Sequence, residues 1–257
     1  MIVRKTPAEI DAMAKAGEIH VRTLSLLAGK MRAGVTTGEL DAAAEKFIRS
    51  QGATPAFKGY RGFPGSICAS PNHMVVHGIP GKFKLRRGDI LSIDIGVVKD
   101  GWVADGARTF AVGEISPVAE KLLRVTEESL FEAVRQCRVG NRLGDVSHAV
   151  QAHVEQHGFS IVRSLVGHGI GRSMHEEPQI PNYGPPGKGV VLEEGMVLAI
   201  EPMVTAGRHM VRMGDDGWAI YSQDGSLAAH FEFTVAITAE GPRILTPWHE
   251  AGQRVAA

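Results

Sequence analysis

The stretch ILSIDIGVVKDGWVADGARTF, residues 90–110, decides how the chain is to be read. Its two apolar runs flank Asp100-Gly101, a dipeptide that favours the positive-φ turn of a two-residue β-hairpin. With those two residues as the turn, Lys99 faces Trp102 and Asp94 faces Ala107. Asp105 is then the diagonal neighbour of Asp94 on the same face, with Cβ atoms roughly 7–8 Å apart. A single acid of this kind would be read as an exposed turn residue or a backbone cap. Two acids on one face of an apolar hairpin are different, because an ionised carboxylate there is costly unless something positive sits against it.

Outward from the hairpin, three more candidate ligands sit in apolar sequence: His168 in LVGHGIG, Glu201 in VLAIEPMV and Glu232 in HFEFTVAI. Four of the five runs contain no Lys or Arg, so bound metal is the simplest compensation. Glu201 precedes Pro202, which favours extended backbone, and Glu232 reads as mid-strand between Phe231 and Phe233. The set is rich in oxygen and free of sulfur, which suits a pair of divalent ions such as manganese, iron, cobalt or zinc. Two ions of this kind share a water, lower its pKa and steady a developing oxyanion. Calcium storage fits poorly, because no EF-hand loop is present and the ligands are scattered from 94 to 232. His175, seven residues after His168, adds a second imidazole among glycines that imply sharp turns or close approach.

Composition removes other classes. The 257 residues, 44% of them hydrophobic, suit one large domain or two fused halves. Lys plus Arg (28) balance Asp plus Glu (28), so no field is expected that gathers nucleic acid or an anionic membrane. Cys68 and Cys137 are too few for a thiolate zinc module, and no leader pattern opens the chain, so a reducing cytoplasm is expected. The apolar stretch 189–203 is broken by Glu193, Glu194 and Glu201 before it reaches the roughly 20 residues of a membrane span.

Thr6-Pro7-Ala8-Glu9 reads as a helix start with a capping box, and a second helical pattern follows Thr36 and Thr37 until Gly52. Residues 54–81 read as loop and short strands. Ser116-Pro117 opens a third helix to about Cys137, and Arg142 to His157 gives a fourth, ended by Gly158. Two helices then strands, twice over, suggest related halves at roughly 6–115 and 116–250 within one catalytic domain, although no sequence repeat is evident.

The strings VVHGIP, the hairpin of residues 90–110, VGHGIGRSMHEEP, MVLAIEPMV and HFEFTV occur in this order, and the chain resembles the type I methionine aminopeptidases from about Pro7 to Leu245. The resemblance implies the α+β pita-bread fold, two related halves with a curved antiparallel sheet covered by helices. It implies that Asp94 and Asp105 ligate one metal, with Asp105 bridging to a second held by His168, Glu201 and a bridging Glu232. It makes Glu201 the proton shuttle, and His77 and His175 the contacts to the scissile amide. Tyr60, Phe63, Cys68, Met174 and Trp218 would line the methionine pocket, although core packing alone would account for Met174 and Phe63. The implied activity is removal of an initiator methionine from nascent proteins when the second residue is small, by a cytoplasmic monomer. Ribosome contact is compatible with that activity, but no basic tail argues for it.

Three departures stand out. Phe233 occupies a position where the family usually carries His, Met174 replaces the more usual aromatic, and Pro71 and His73 modify the loop at Asn72, where relatives imply a monovalent cation or substrate contact. Prolidase-like enzymes share the site but carry a sizeable N-terminal domain. Type II enzymes insert several tens of residues between the two glutamates, for which the segment from Glu201 to Glu232 leaves no room. A non-catalytic binding protein of the same fold would be expected to lose ligands, and all five are present.

Overall fold

Each of the expected helix starts is built by local chemistry. In the computed structural model, which describes residues 2–250, helix α1 spans Pro7–Ala28 and α2 spans Thr37–Ser50. Thr6 and Thr36 cap them, and Glu9 and Glu39 reach back to the cap backbone N–H groups at 2.9 and 2.8 Å. Helix α3, Pro117–Gln136, is capped by Ser116, whose hydroxyl accepts from the Ala119 N–H. Helix α4, Leu143–Gln156, starts where the Asp145 carboxylate accepts from the Arg142 N–H at 2.8 Å.

The hairpin forms in the register read from its turn: Lys99 opposite Trp102, Asp94 opposite Ala107 and Gly96 opposite Asp105. Asp100 and Gly101 both take positive φ, 52° and 77°, as the turn requires. The strand Ile90–Lys99 is flanked on its other edge by Thr54–Pro55 and Cys68–Pro71. A five-stranded sheet in the second half runs in the order 241–244, 233–238, 197–200, 167–169, 176–180. Smaller three-stranded sheets join 228–230, 203–205 and 160–161, and 211–213, 220–222 and 74–76. Every strand pair among the described residues is antiparallel. Helices α1 and α2 cover the first sheet, while α3 and α4 pack together over the strands of the second half.

The structure exposes a repeat that the sequence reading missed. Leu85, Gly88, Leu91, Ile93 and Asp94 have counterparts in Leu192, Gly195, Leu198, Ile200 and Glu201. Gly88 and Gly195 adopt positive φ, 97° and 89°, before their strands. Leu85 N–H donates to Val35 O and Leu192 N–H to Asn141 O, so each copy is tied to the turn that precedes a helix. Gly38 and Gly144 then lie against backbone, with N–H groups donating to Gly81 O and Lys188 O. Four identical residues and one pair of acids per copy, separated by variable ones, are legible only once these hydrogen bonds align them.

Helix α1 crosses the segment after the last strand so closely that a Cβ on Gly17 would stand 1.9 Å from Leu245 O. Alanine gains about 1 kcal/mol in a helix interior relative to glycine, but here the backbone of residue 245 would have to move. Gly17→Ala is therefore expected to lose about 1–3 kcal/mol net in urea unfolding. Equal or higher stability would show that α1 does not seat against this segment.

Candidate metal centre

Two backbone strips bring the acids together. The hairpin strand Trp102–Ala111 runs antiparallel to residues 230–234 along a seam between the halves. At its middle, Glu232 N–H donates to Ala107 O at 2.9 Å and Ala107 N–H to Glu232 O at 3.4 Å. Two residues to one side, the Thr234 hydroxyl accepts from Asp105 N–H at 2.9 Å and donates to Asp105 O at 2.7 Å. Two residues to the other, the Thr109 hydroxyl does the same for His230, accepting from its N–H and donating to its O at 2.9 Å each. Each half thus grips the other through one buried threonine.

This seam corrects one expectation: Glu232 is not mid-strand. Strands 228–230 and 233–238 are separate, and Phe231 and Glu232 lie in the gap between them. The opposing chain breaks at the same level, where Glu201 and Pro202 separate 197–200 from 203–205. Pro202 has no N–H to continue the ladder, and Glu232 turns its own backbone bonds toward Ala107 instead. Glu201 is held by its carbonyl, which accepts from Asn182 Nδ2 at 2.9 Å. His168 sits in the short strand Gly167–Gly169 between Ala199 and Gln179. Its Nδ1 lies 2.9 Å from Gly169 O, so Nδ1–H donates there and Nε2 keeps its lone pair.

Asp94, Asp105, His168, Glu201 and Glu232 converge on one cavity of about 170 Å³. Oxygen and nitrogen atoms of Asp105, His168 and Glu232 lie within 4.8 Å of one another, a spacing that one ion can span. His168 Nε2 stands 3.6 Å from Glu201 Oε1. The carboxyls of Asp94, Glu201 and Glu232 are pushed well above their usual range, first by burial and then by the charge of Asp105, to which Glu201 adds for Asp94 and Glu232. Asp105 rises to about 6 by burial, against the lowering effect of the Gly106 N–H. Burial holds His168 down to about 4, and so in the neutral form that ligates. Among the described residues no Lys or Arg pairs with any of the four acids, and Asp94 Oδ1 and Glu232 Oε1 are buried without a hydrogen-bond partner. The donor set therefore fits divalent cations and lacks any other compensating charge.

The rest of the cavity wall is mostly aromatic, with one basic side chain, Arg61. Tyr60, Phe63, Cys68 and Trp218 line it, together with His77 and His175. Phe63 packs edge-on to Trp218 at 5.1 Å. Met174 is buried beside Gly96, in the same apolar cluster as the cavity residues Phe57, Phe63 and Cys68. Phe57 and Arg61 line it without having been singled out, since an aromatic and a basic residue in a glycine-rich loop carry no signal of their own. Tyr60 Oη lies 2.9 Å from His175 Nδ1, and the rings of His175 and His168 are 4.2 Å apart. His77 occupies a left-handed conformation, φ 60°, and burial lowers its pKa, as it does that of His175.

Sequence also gave no signal for His230, which is 1% exposed, with both ring nitrogens unpartnered and Nε2 3.8 Å from both Glu201 Oε2 and Glu232 Oε2. Phe233, expected to be a departure from the family pattern, packs in an aromatic cluster: it stacks on Trp248 at 4.7 Å and meets Phe131 and His249 edge-on. Around Asn72 the side-chain amide is already committed to Asp89 Oδ1 and the Ile90 N–H.

Residues 11–239 match the model of metallopeptidase family M24. The chain belongs to that family. It is 56% identical to a methionine aminopeptidase of Clostridium perfringens over 96% of this chain and 99% of the relative, and 52% identical to methionine aminopeptidase 1 of Bacillus subtilis with the same coverage. Among solved structures, the methionine aminopeptidase of Rickettsia prowazekii superposes with a TM-score of 0.94 at 40% identity, covering 96% of this chain and all of that one. The prolidase of Pyrococcus furiosus superposes less well, with a TM-score of 0.78 at 26% identity, and this chain covers 65% of its length. The architecture is accordingly the pita-bread fold of the M24 enzymes.

Without metal the raised acids destabilise the folded state as they ionise. For Asp105 the folded protein binds the proton more tightly than the unfolded chain, so stability is highest below the unfolded value near 3.8 and is lost as pH rises toward 6. The buried imidazoles of His20, His168 and His230, held near 4, 4 and 3, change stability in the opposite direction over a similar range. The contribution of Asp105 is therefore isolated by a difference. In chelator, Asp105→Asn should gain on the parent by on the order of 2 kcal/mol between pH 4 and 7. A pH-independent difference in unfolding free energy would refute it.

Proposed function

We propose that this chain is a metal-dependent aminopeptidase that removes an N-terminal methionine when the second residue is small, acting on peptides and nascent chains. The observation that carries this reading is three buried carboxylates, the half-buried carboxylate of Glu201 and a neutral imidazole, none paired with Lys or Arg, lining one small cavity with aromatic side chains. Asp94, Asp105, His168, Glu201 and Glu232 would hold two divalent ions, with manganese, cobalt, iron and zinc all compatible with this donor set. When bound, such ions acidify a water for attack on the scissile carbonyl and stabilise the charge that develops on its oxygen.

The protein's own groups supply the rest. Glu201, whose carboxyl is pushed up by burial, takes a proton from the attacking water and delivers it to the departing amine. With Tyr60 donating to His175 Nδ1, the neutral ring carries its proton on Nε2 and can donate to the substrate. His77, also favoured in its neutral form, is the second donor to the carbonyl oxygen as it becomes tetrahedral. Tyr60, Phe63, Cys68 and Trp218 receive the methionine side chain, whose thioether packs well on aromatic edges. Met174, buried in the same apolar cluster, packs with that wall. Both halves, roughly 6–115 and 116–250, supply ligands, so the catalytic unit is the whole chain acting as a monomer. No helix among the described residues is long and apolar enough to cross a membrane, and both cysteines are buried and free, which agrees with a cytoplasmic site of action.

Release of methionine from Met-Ala-Ser with added manganese or cobalt, and its arrest by chelator, tests this reading. Cleavage of an X-Pro dipeptide in preference to Met-Ala-Ser would replace it with a prolidase-like activity. His77→Ala is expected to lower kcat by roughly 100-fold or more with metal content unchanged. An unchanged kcat would remove His77 from the mechanism.

A further inference from the structure

A second group of metal-ligating side chains lies away from the central cavity, on the outer helical layer. His153 and His157 stand one turn apart on α4 and at its C-terminal cap, and Glu128 faces them from α3. None of the three lines the central cavity. We propose that Glu128, His153 and His157 form a further binding site for a borderline divalent ion of the zinc, nickel or copper class, clipping α3 to α4.

Histidines four apart on a helix project from the same face, which is the spacing that lets two imidazoles share one ion. Here the two rings are 4.6 Å apart between centroids, and His153 Nε2 lies 3.1 Å from Glu128 Oε2. One ligand atom from each of the three residues falls within 4.8 Å of the others, as it does for Asp105, His168 and Glu232 in the centre. The tautomer of His157 is already set for ligation. Its Nδ1 lies 2.7 Å from His153 O and so carries the proton, leaving a lone pair on Nε2. All three side chains are half-buried, which limits the rotamer freedom that a bound ion would have to remove.

The competing arrangement is a plain ion-pair network, since Arg124 Nη1 lies 3.0 Å from both Glu128 oxygens. A carboxylate has about four lone-pair sites, so Arg124 can keep Oε1 and orient the group while Oε2 faces the imidazoles. Two imidazoles and one carboxylate are the His₂Glu donor set that zinc accepts, with water in the remaining position. Thiolate is absent, and a purely oxygen-loving ion such as magnesium or calcium gains little from two nitrogens.

The test counts zinc. The full chain and the H153Q/H157Q double variant are dialysed against the same free zinc concentration, and bound metal is measured together with release of methionine in added manganese. The parent should hold one equivalent more than the variant, with cleavage equal in the two. Zinc should also slow amide exchange in the facing turns of α3 and α4 in the parent and not in the variant. Glu128→Gln, which keeps the shape of the side chain, should weaken zinc binding at this site at least several-fold. Equal stoichiometry in parent and double variant, or loss of cleavage in step with loss of zinc, overturns the assignment.

Discussion

The seam between residues 105–109 and 230–234 is the constraint on which the rest of the molecule depends. It is a strip where two strands from different halves exchange backbone hydrogen bonds at Ala107 and Glu232, and where Thr109 and Thr234 each replace a rung of the ladder with a hydroxyl. Each hydroxyl both accepts and donates, so the backbone groups of Asp105 and His230 are satisfied although no continuous sheet runs across. The seam fixes the height of Asp105 relative to Glu232. The hairpin then fixes Asp94 relative to Asp105, and the broken ladder at Glu201-Pro202 brings the fourth acid to the same level.

That geometry is unfavourable for the protein by itself. Burial and mutual repulsion push the four carboxyls upward, and two of their oxygens lack any partner. Folding has placed charge where an apolar packing would be more stable, and the apolar residues on either side, such as Ile93, Ile95 and Ala104, show that packing to be fully buried. Among the described residues four acids whose carboxyls burial pushes upward meet at this one cavity, while caps and turns elsewhere agree with the local sequence. Such a concentration of conflict at a cavity is the mark of a functional site.

Much was legible because it is local. Asp100-Gly101 set the hairpin register, and the pairs Thr6 with Glu9 and Thr36 with Glu39 set two helix starts, each through contacts spanning a few residues. The repeat of Leu85–Asp94 in Leu192–Glu201 escaped notice because its copies share small and apolar residues at wide intervals, which the eye assigns to ordinary core. HFEFTVAI alternates like a strand throughout, yet the strand begins only at Phe233, after Glu232. What ends that strand is Pro202 on a different segment, and no property of residues 230–237 announces it. His230 and Phe57 stayed silent for the same reason: their surroundings, not their neighbours in sequence, give them meaning.

The amino-acid sequence alone determined which side chains were out of place, four acids and a histidine in apolar runs, and the helices and hairpin that would carry them. It did so because the cost of an uncompensated charge and the chemistry of turns and caps are properties of short segments. Only the tertiary structure decided that Asp105 and Glu232 share a level, that Met174 is buried beside Gly96, and that Phe233 belongs to an aromatic stack with Trp248. Those outcomes rest on contacts between residues far apart in the chain, where hydrogen-bond satisfaction and close packing are settled jointly by both halves.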